Sequence, residues 1–316
     1  MRGRNGFAVA VRRQSGAVEV WAEPLRSRWV ATVRRIPLLR GIAVLWETLQ
    51  LGTRALLYSS RVAVADVAGA DAPVSEGTPA AVWFALALSL VFAIGLFFLS
   101  PVLVTSWLDR WLHNGTLVVF VEGLVRLVLL LGYLALIGRL PDIRRVFQYH
   151  GAEHRAINCY EAGQPLEVEH VQRFSLAHPR CGTAFLLVVV VVSILVFTAL
   201  GPQPLWWRLT SRVVLVPLVA ALAYEVIRFE AAHARRTVVR WAMAPNLALQ
   251  RLTTREPDDE QAAVAIQALR VTLQQDGTRE PPAPARSADA KHDADPRRDR
   301  PTVLSALALL AALPML

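Results

Sequence analysis

The chain has 316 residues, 54% of them hydrophobic and only 19% charged, a composition that excludes a disordered protein and argues against an ordinary soluble domain. Two cysteines, Cys159 and Cys181, cannot supply a disulfide framework. The net charge is +9, with Lys291 the single lysine; because the arginines flank apolar runs, they point to orientation in a membrane and no nucleic-acid partner is expected.

The chain opens without an uninterrupted apolar run of the secretory type. Ala8 to Val11 and Ala17 to Val20 read as short strands about a Ser15-Gly16 turn. From Ile36 to Val64 the pattern turns helical, with Arg40, Glu47, Arg54 and Arg61 at sevenfold steps. Two readings of that charged stripe are open: an interfacial helix with arginines toward headgroups, or a packed helix with a solvated face. Residues 68–79 read as a linker, so 1–79 form a cytoplasmic N-terminal segment.

Four apolar runs follow. Ala80 to Val104 carries no charge and is long enough to cross a hydrocarbon core of ~30 Å. Leu117 to Gly138 is long enough too but holds Glu122 and Arg126, which at i, i+4 can neutralise one another. Thr183 to Leu200 is uncharged, and Val213 to Ile227 is apolar up to Tyr224-Glu225 with Pro217 inside it. Residues 80–138 and 183–230 are therefore expected to hold two spans each. Arginines crowd residues 1–79, 139–182 and the tail from Arg228, while the loops near Asn114 and Gln203 carry few. Positive residues stay on the cytoplasmic side. The expectation is a bacterial inner-membrane protein with both termini inside and residues 139–182 as a substantial inside loop.

That loop carries the chemistry. Residues 147–161 read FQYHGAEHRAINCYE; on a helix, His150 and His154 share a face, with Glu153 beside them and Asn158 and Glu161 further along. Two imidazoles with two carboxylates suit a divalent metal, zinc among the candidates. The spelling H-x-x-E-H is also that of inverted zinc-metallopeptidase helices. Gly151 lowers the helical propensity of the segment. A second cluster, His178-Pro179-Arg180-Cys181-Gly182, spaces a histidine and a cysteine as in a metal knuckle. Both thiols are expected on the reducing side of the membrane, where a stable disulfide does not form. Glu225, at the inner end of the fourth run, is a candidate third ligand. Beyond it, residues 231–275 read as cytoplasmic helices around Pro245 and Pro257. Residues 276–316 read as a disordered stretch ending in the uncharged Thr302 to Leu316, too short for an untilted span.

These strings together, with FSLAHPRCGTAF, the Tyr224-Glu225-x-x-Arg228 box and LALQRLTTREPDDEQ, resemble the bacterial domain of unknown function 1385 family from about Arg2 to Leu273. Its members usually open with a GGQAVMEGVMMRG segment, and Met1-Arg2-Gly3 corresponds to the end of it. The resemblance implies a predicted metal-dependent membrane enzyme. The fold class expected is mainly α and polytopic, with about four transmembrane helices, a short N-terminal β-like segment and cytoplasmic helices. Two functions are weighed. In the first, a metal-dependent hydrolase faces the cytoplasm; His150 and His154 are ligands, Glu225, His178 and Cys181 are candidates to complete the shell, and Glu153 or Glu161 is the general base. In the second, the same cluster is a structural knot in a membrane scaffold or regulator. The expected partners are the lipid bilayer and either a second copy or another membrane protein.

Overall fold

In the computed structural model, β1 (Gly6–Arg12) and β2 (Val18–Pro24) form an antiparallel hairpin pairing Arg12 with Val18. Gly16 takes a positive φ of 86° at the tip, a conformation glycine adopts without steric cost. The predicted strands are both present and slightly longer than their apolar cores. The structure describes residues 1–25, 33, 36–68, 80–112, 114–179, 181–233, 236–278 and 280. Of the predicted linker (68–79), Ala68 ends a helix and residues 69–79 lie outside the described residues, as does the tail beyond 280 with its apolar end.

Next comes α1 (Leu39–Ala68), which packs on a later helix, Val216–Ala232, and on β1. Three residues of its charged stripe are paired within the protein, the Arg54 pair at an exposed position. Arg40 pairs with Glu225, Glu47 with Arg2 at 2.6 Å, and Arg54 with Glu23 at 3.0 Å, so the stripe docks the helix onto the protein. The opposite face, with Ile42, Trp46, Leu49 and Leu56, is left uncovered by the chain.

The first predicted span is α2 (Ala80–Ile94), a π-helical turn at Gly95–Leu99, and α3 (Ser100–Leu112). Pro101 has no N–H to give the Phe97 carbonyl four residues back. Arg126 of the next helix takes that acceptor instead, Nε to Phe97 O at 2.9 Å. Then follow α4 (Gly115–Ile137), capped by Asn114, α5 (Pro141–Glu161), the single turn α6 (Val168–Val171) and α7 (Gly182–Leu200). The chain continues through α8 (Leu205–Val214), α9 (Val216–Ala232), α10 (Thr237–Thr253) and α11 (Asp259–Gln275).

Among the described residues, three helical stretches are long and apolar enough to cross a membrane: Val82–Asp109, Gly115–Ile137 and Gly182–Leu200. The fourth predicted run is split at Leu215 between α8 and α9. With 17 residues, α9 rises about 25 Å, short of a hydrocarbon core. It still returns along α7, where Val219 and Ala223 pack with Val119, Val188, Val192 and Phe197. The described residues thus form a mainly helical membrane protein with three candidate spans and one two-stranded sheet, roughly the four spans expected.

Beneath the bundle sits a second layer that sequence order does not announce. Helices α5, α6 and α11 share a core of Ala152, Ala156, Cys159, Leu166, Val171, Ile266 and Leu269, with Met1 against it. The N-terminal segment, the inside loop and the tail thus form one cap. A capping box of Asp258 and Gln261 starts α11 after Pro257. Where this cap meets the start of α7 lies the candidate site.

Candidate metal centre

Pro141 at the first turn of α5 starts a helix that carries the histidine motif through its last three turns. His150 and His154 fall on one face with ring centroids 4.4 Å apart. Gly151 between them has a packing role. A Cβ there would strike the carbonyl oxygen of Arg255 and press on Leu176. The glycine lets the segment after α10 and the segment after α6 close over the histidines. Arg255 N donates to Phe147 O at 2.9 Å at the same crossing.

Both histidines are oriented by main-chain carbonyls. His150 Nδ1 lies 2.9 Å from Thr253 O, and His154 Nδ1 lies 2.5 Å from Leu176 O. A carbonyl only accepts, so the bonding network assigns the proton to each Nδ1 and directs each Nε2 toward the other side of its ring. There stands Cys181, its Sγ 3.2 Å from His150 Nε2. The two imidazoles and the thiol bring their donor atoms within 4.8 Å of one another. Cys181 is the N-cap of α7, and its sulfur accepts from Thr183 N at 3.4 Å. A thiolate is favoured at a helix N-terminus.

The electrostatics agree. Burial opposes ionisation of Cys181, but hydrogen bonds from His150 and His154 and the charge of His150 outweigh it, lowering the thiol to about 5. His150 is disfavoured as a cation by burial, yet the Cys181 sulfur and the Thr253 carbonyl raise its pKa above the usual imidazole value. The contact between His150 and Cys181 thus favours the charged form of each. Cys159, by contrast, is pushed up to about 11 by burial and is an inert core thiol.

Sequence-predicted residues divide into three groups. His150, His154 and Cys181 come together, and their donor set fits a divalent ion of borderline softness: two imidazole nitrogens and a thiolate, with a main-chain carbonyl holding the far nitrogen of each ring. His178 and Glu161 form the next layer. The His178 ring lies 5.7 Å from that of His154, and its Nε2 is 3.6 Å from Glu161 Oε2. Burial, and then the charge of His154, lowers His178 to about 4, so it is neutral. Its backbone is clasped by buried Gln250, which donates to His178 O at 2.8 Å and accepts from His178 N at 2.9 Å. Glu153 is half-buried on α5, and its charge acts on both His150 and His178.

Glu225 is the correction. It is not among the converging donors; Arg40 holds it through Nε at 2.6 Å and through Nη2, and Leu38 N donates to it at 3.2 Å. The physical reason is the neighbour: α1 runs past α9 there and presents a guanidinium, the stronger partner for an ionised carboxylate. Its carboxyl is accordingly held below the usual range by Arg40. Sequence reasoning missed Thr253, Leu176 and Gln250. The first two act through carbonyls, which leave no trace in residue type. Gln250, a polar residue on the buried side of α10, was the available signal.

With that geometry in view, comparison with known proteins gives two matches. The family described as "Protein of unknown function (DUF1385)" matches residues 36–275. The chain is also similar to "Uncharacterized protein YqhQ" of Bacillus subtilis (strain 168), 35% identical over 279 residues that cover 86% of this chain and 88% of the relative. No solved structure matches.

Proposed function

This chain belongs to the DUF1385 family, and we propose that it is a cytoplasmic-membrane protein with a divalent-metal centre of the hydrolase type, held by His150, His154 and Cys181 at the inner face. The observation that carries this reading is the pair of Nδ1-to-carbonyl bonds, which aim both Nε2 atoms at the region of a thiolate. Three converging protein donors, with no fourth among the described residues, is the ligand count of a catalytic rather than a sealed structural zinc site. When bound, a divalent ion would polarise a substrate carbonyl or phosphoryl oxygen and acidify water. The chain's own contribution beside it is Glu153, one residue from His154, which takes the proton of the attacking water. Glu161 and neutral His178 hold the next layer. The centre sits where α7 leaves the cap, so a substrate anchored in the bilayer would arrive at it directly.

The second reading, a scaffold in which the same centre is structural, draws on its burial: His154 is 3% and His178 4% exposed. Two substitutions separate the readings. Glu153→Gln keeps the ligands and removes the base; under the enzyme reading it retains metal and fold but reproduces the null phenotype of a gene deletion. His154→Ala should lose the metal in either case. A Glu153→Gln protein that fully complements the deletion would sink the hydrolase reading and leave the scaffold.

A further inference from the structure

About two to three turns inside the other end of the bundle, below the level where Gly115 abuts Pro202 and where Gly123 packs on Ile194, lies a second cluster of charge. Glu122 of α4 is 1% exposed and is held by three arginines. Arg126 Nη2 reaches it at 3.1 Å, Arg208 Nη2 at 2.8 Å and Arg212 Nε at 2.9 Å. All three guanidiniums are buried, Arg126 and Arg208 at 7% and Arg212 at 4% exposure. Among the described residues no other carboxylate pairs with them, so one negative charge faces three positive ones. Arginine cannot relieve the imbalance by losing a proton, and surplus charge among membrane-spanning helices is costly without a counter-ion.

Counting donors points the same way. Arg126 uses Nε on Phe97 O and Nη2 on Glu122; Arg208 uses Nε and Nη2 on Glu122, with Nη2 also donating to buried Thr105. The Nη1 atoms of Arg126 and Arg208 make no hydrogen bond among the described residues, and neither is sealed in by protein. Arg212 is spoken for, with its guanidinium 4.0 Å from the Phe197 ring centroid and Nη1 on Ser211. The surrounding surface belongs to lipid: Leu103 and Trp107 on α3 and Leu205 and Trp206 on α8 are each more than half exposed. Tryptophan at that level is the pattern of a membrane interface.

We propose that Arg126 and Arg208, backed by Glu122 and Arg212, form a binding site for a phosphate-bearing anion in the half of the bundle remote from the His/Cys centre. Glu122 fixes the three guanidiniums, and the two unused Nη1 edges receive the phosphate oxygens. The lipid-facing setting favours an anionic phospholipid headgroup over free phosphate as its source.

The test uses the full-length protein purified in detergent, with thermal unfolding as readout. Short-chain phosphatidylglycerol, phosphatidylcholine and inorganic phosphate are titrated separately. A stabilising shift with phosphatidylglycerol but not phosphatidylcholine identifies a lipid headgroup; a shift with inorganic phosphate identifies a free anion. In either case Arg126→Gln and Arg208→Gln should weaken the apparent affinity about tenfold or more, and each should still fold because Glu122 keeps two arginines. Native mass spectrometry of the unaltered protein supplies an arm free of substitutions, with one retained anionic phospholipid per chain expected for the lipid source. No shift with any of the three and no retained lipid would overturn the proposal. So would a shift that both arginine substitutions leave unchanged.

Discussion

Cys181 and Cys159 are both buried, yet their surroundings set them far apart chemically. Cys181 lies at the N-terminus of α7 against two imidazoles and is lowered to about 5, whereas Cys159 lies in the apolar core of the cap and is raised to about 11. In protein stripped of metal, alkylation of Cys181 should therefore hold a constant rate from neutral pH down to about 6 and fall as pH drops through about 5. Cys159 should stay unmodified until the protein unfolds. Mass-spectrometric mapping of alkylated thiols across pH measures both; an alkylation rate at Cys181 that rises only above pH ~8.5, the ordinary thiol range, would contradict the assignment. At this scale much of the site was legible in the sequence. The i, i+4 histidines and the His178-to-Cys181 spacing are written in residue types. Glu225 misled because sequence shows a carboxylate but not the guanidinium of Arg40, 185 residues away along the chain.

Elements explain why the donors converge. Helix α5 alone aligns two histidines, but the thiol comes from the cap of α7 and the orienting carbonyls from the end of α10 and the segment after α6. Gly151 is the point at which these pieces touch. Replacing it with alanine should destabilise the fold by about 1–3 kcal/mol, the usual cost of overpacking, despite alanine's better helix propensity. It should also weaken metal binding, because Leu176 supplies one of the two carbonyls that hold the imidazoles and Arg255 lies two residues beyond the other, Thr253. Thermal unfolding and a metal titration of Gly151→Ala check this; a protein of raised stability would show that the close approach is not needed. The strands, α5 and the helices about Pro245 and Pro257 were all readable from local pattern. The split at Leu215 was not, because Arg208 and Arg212 look like loop charges until Glu122 is seen to bury them. The charged stripe of α1 was read correctly as periodic, while its partners Arg2, Glu23 and Glu225 come from three distant segments.

Across the whole molecule, two charge-bearing centres occupy opposite halves of one helical bundle, the His/Cys centre under the cap and the arginine cluster around Glu122. Under the topology proposed from arginine placement, the cap faces the cytoplasm. Reporter fusions after Gly163 and after Asp276 should read cytoplasmic, and fusions near Asn114 and Gln203 should read external. An external reading at Gly163 would reverse the molecule and move the His/Cys centre across the membrane. Packing of the N-terminal hairpin, the inside loop and α11 into one cap was beyond sequence pattern, since each contributes only small apolar patches such as Ala152, Ala156 and Ala262. The claim on which the functional account rests is that His150, His154 and Cys181 bind a divalent metal. Elemental analysis of protein purified without chelator tests it most directly. The account predicts about one divalent metal per chain, lost on Cys181→Ala or His154→Ala and kept on Glu225→Gln. Protein that carries no metal and gains none from added zinc or manganese would contradict it, as would stoichiometric metal that survives the double change His150→Ala/His154→Ala.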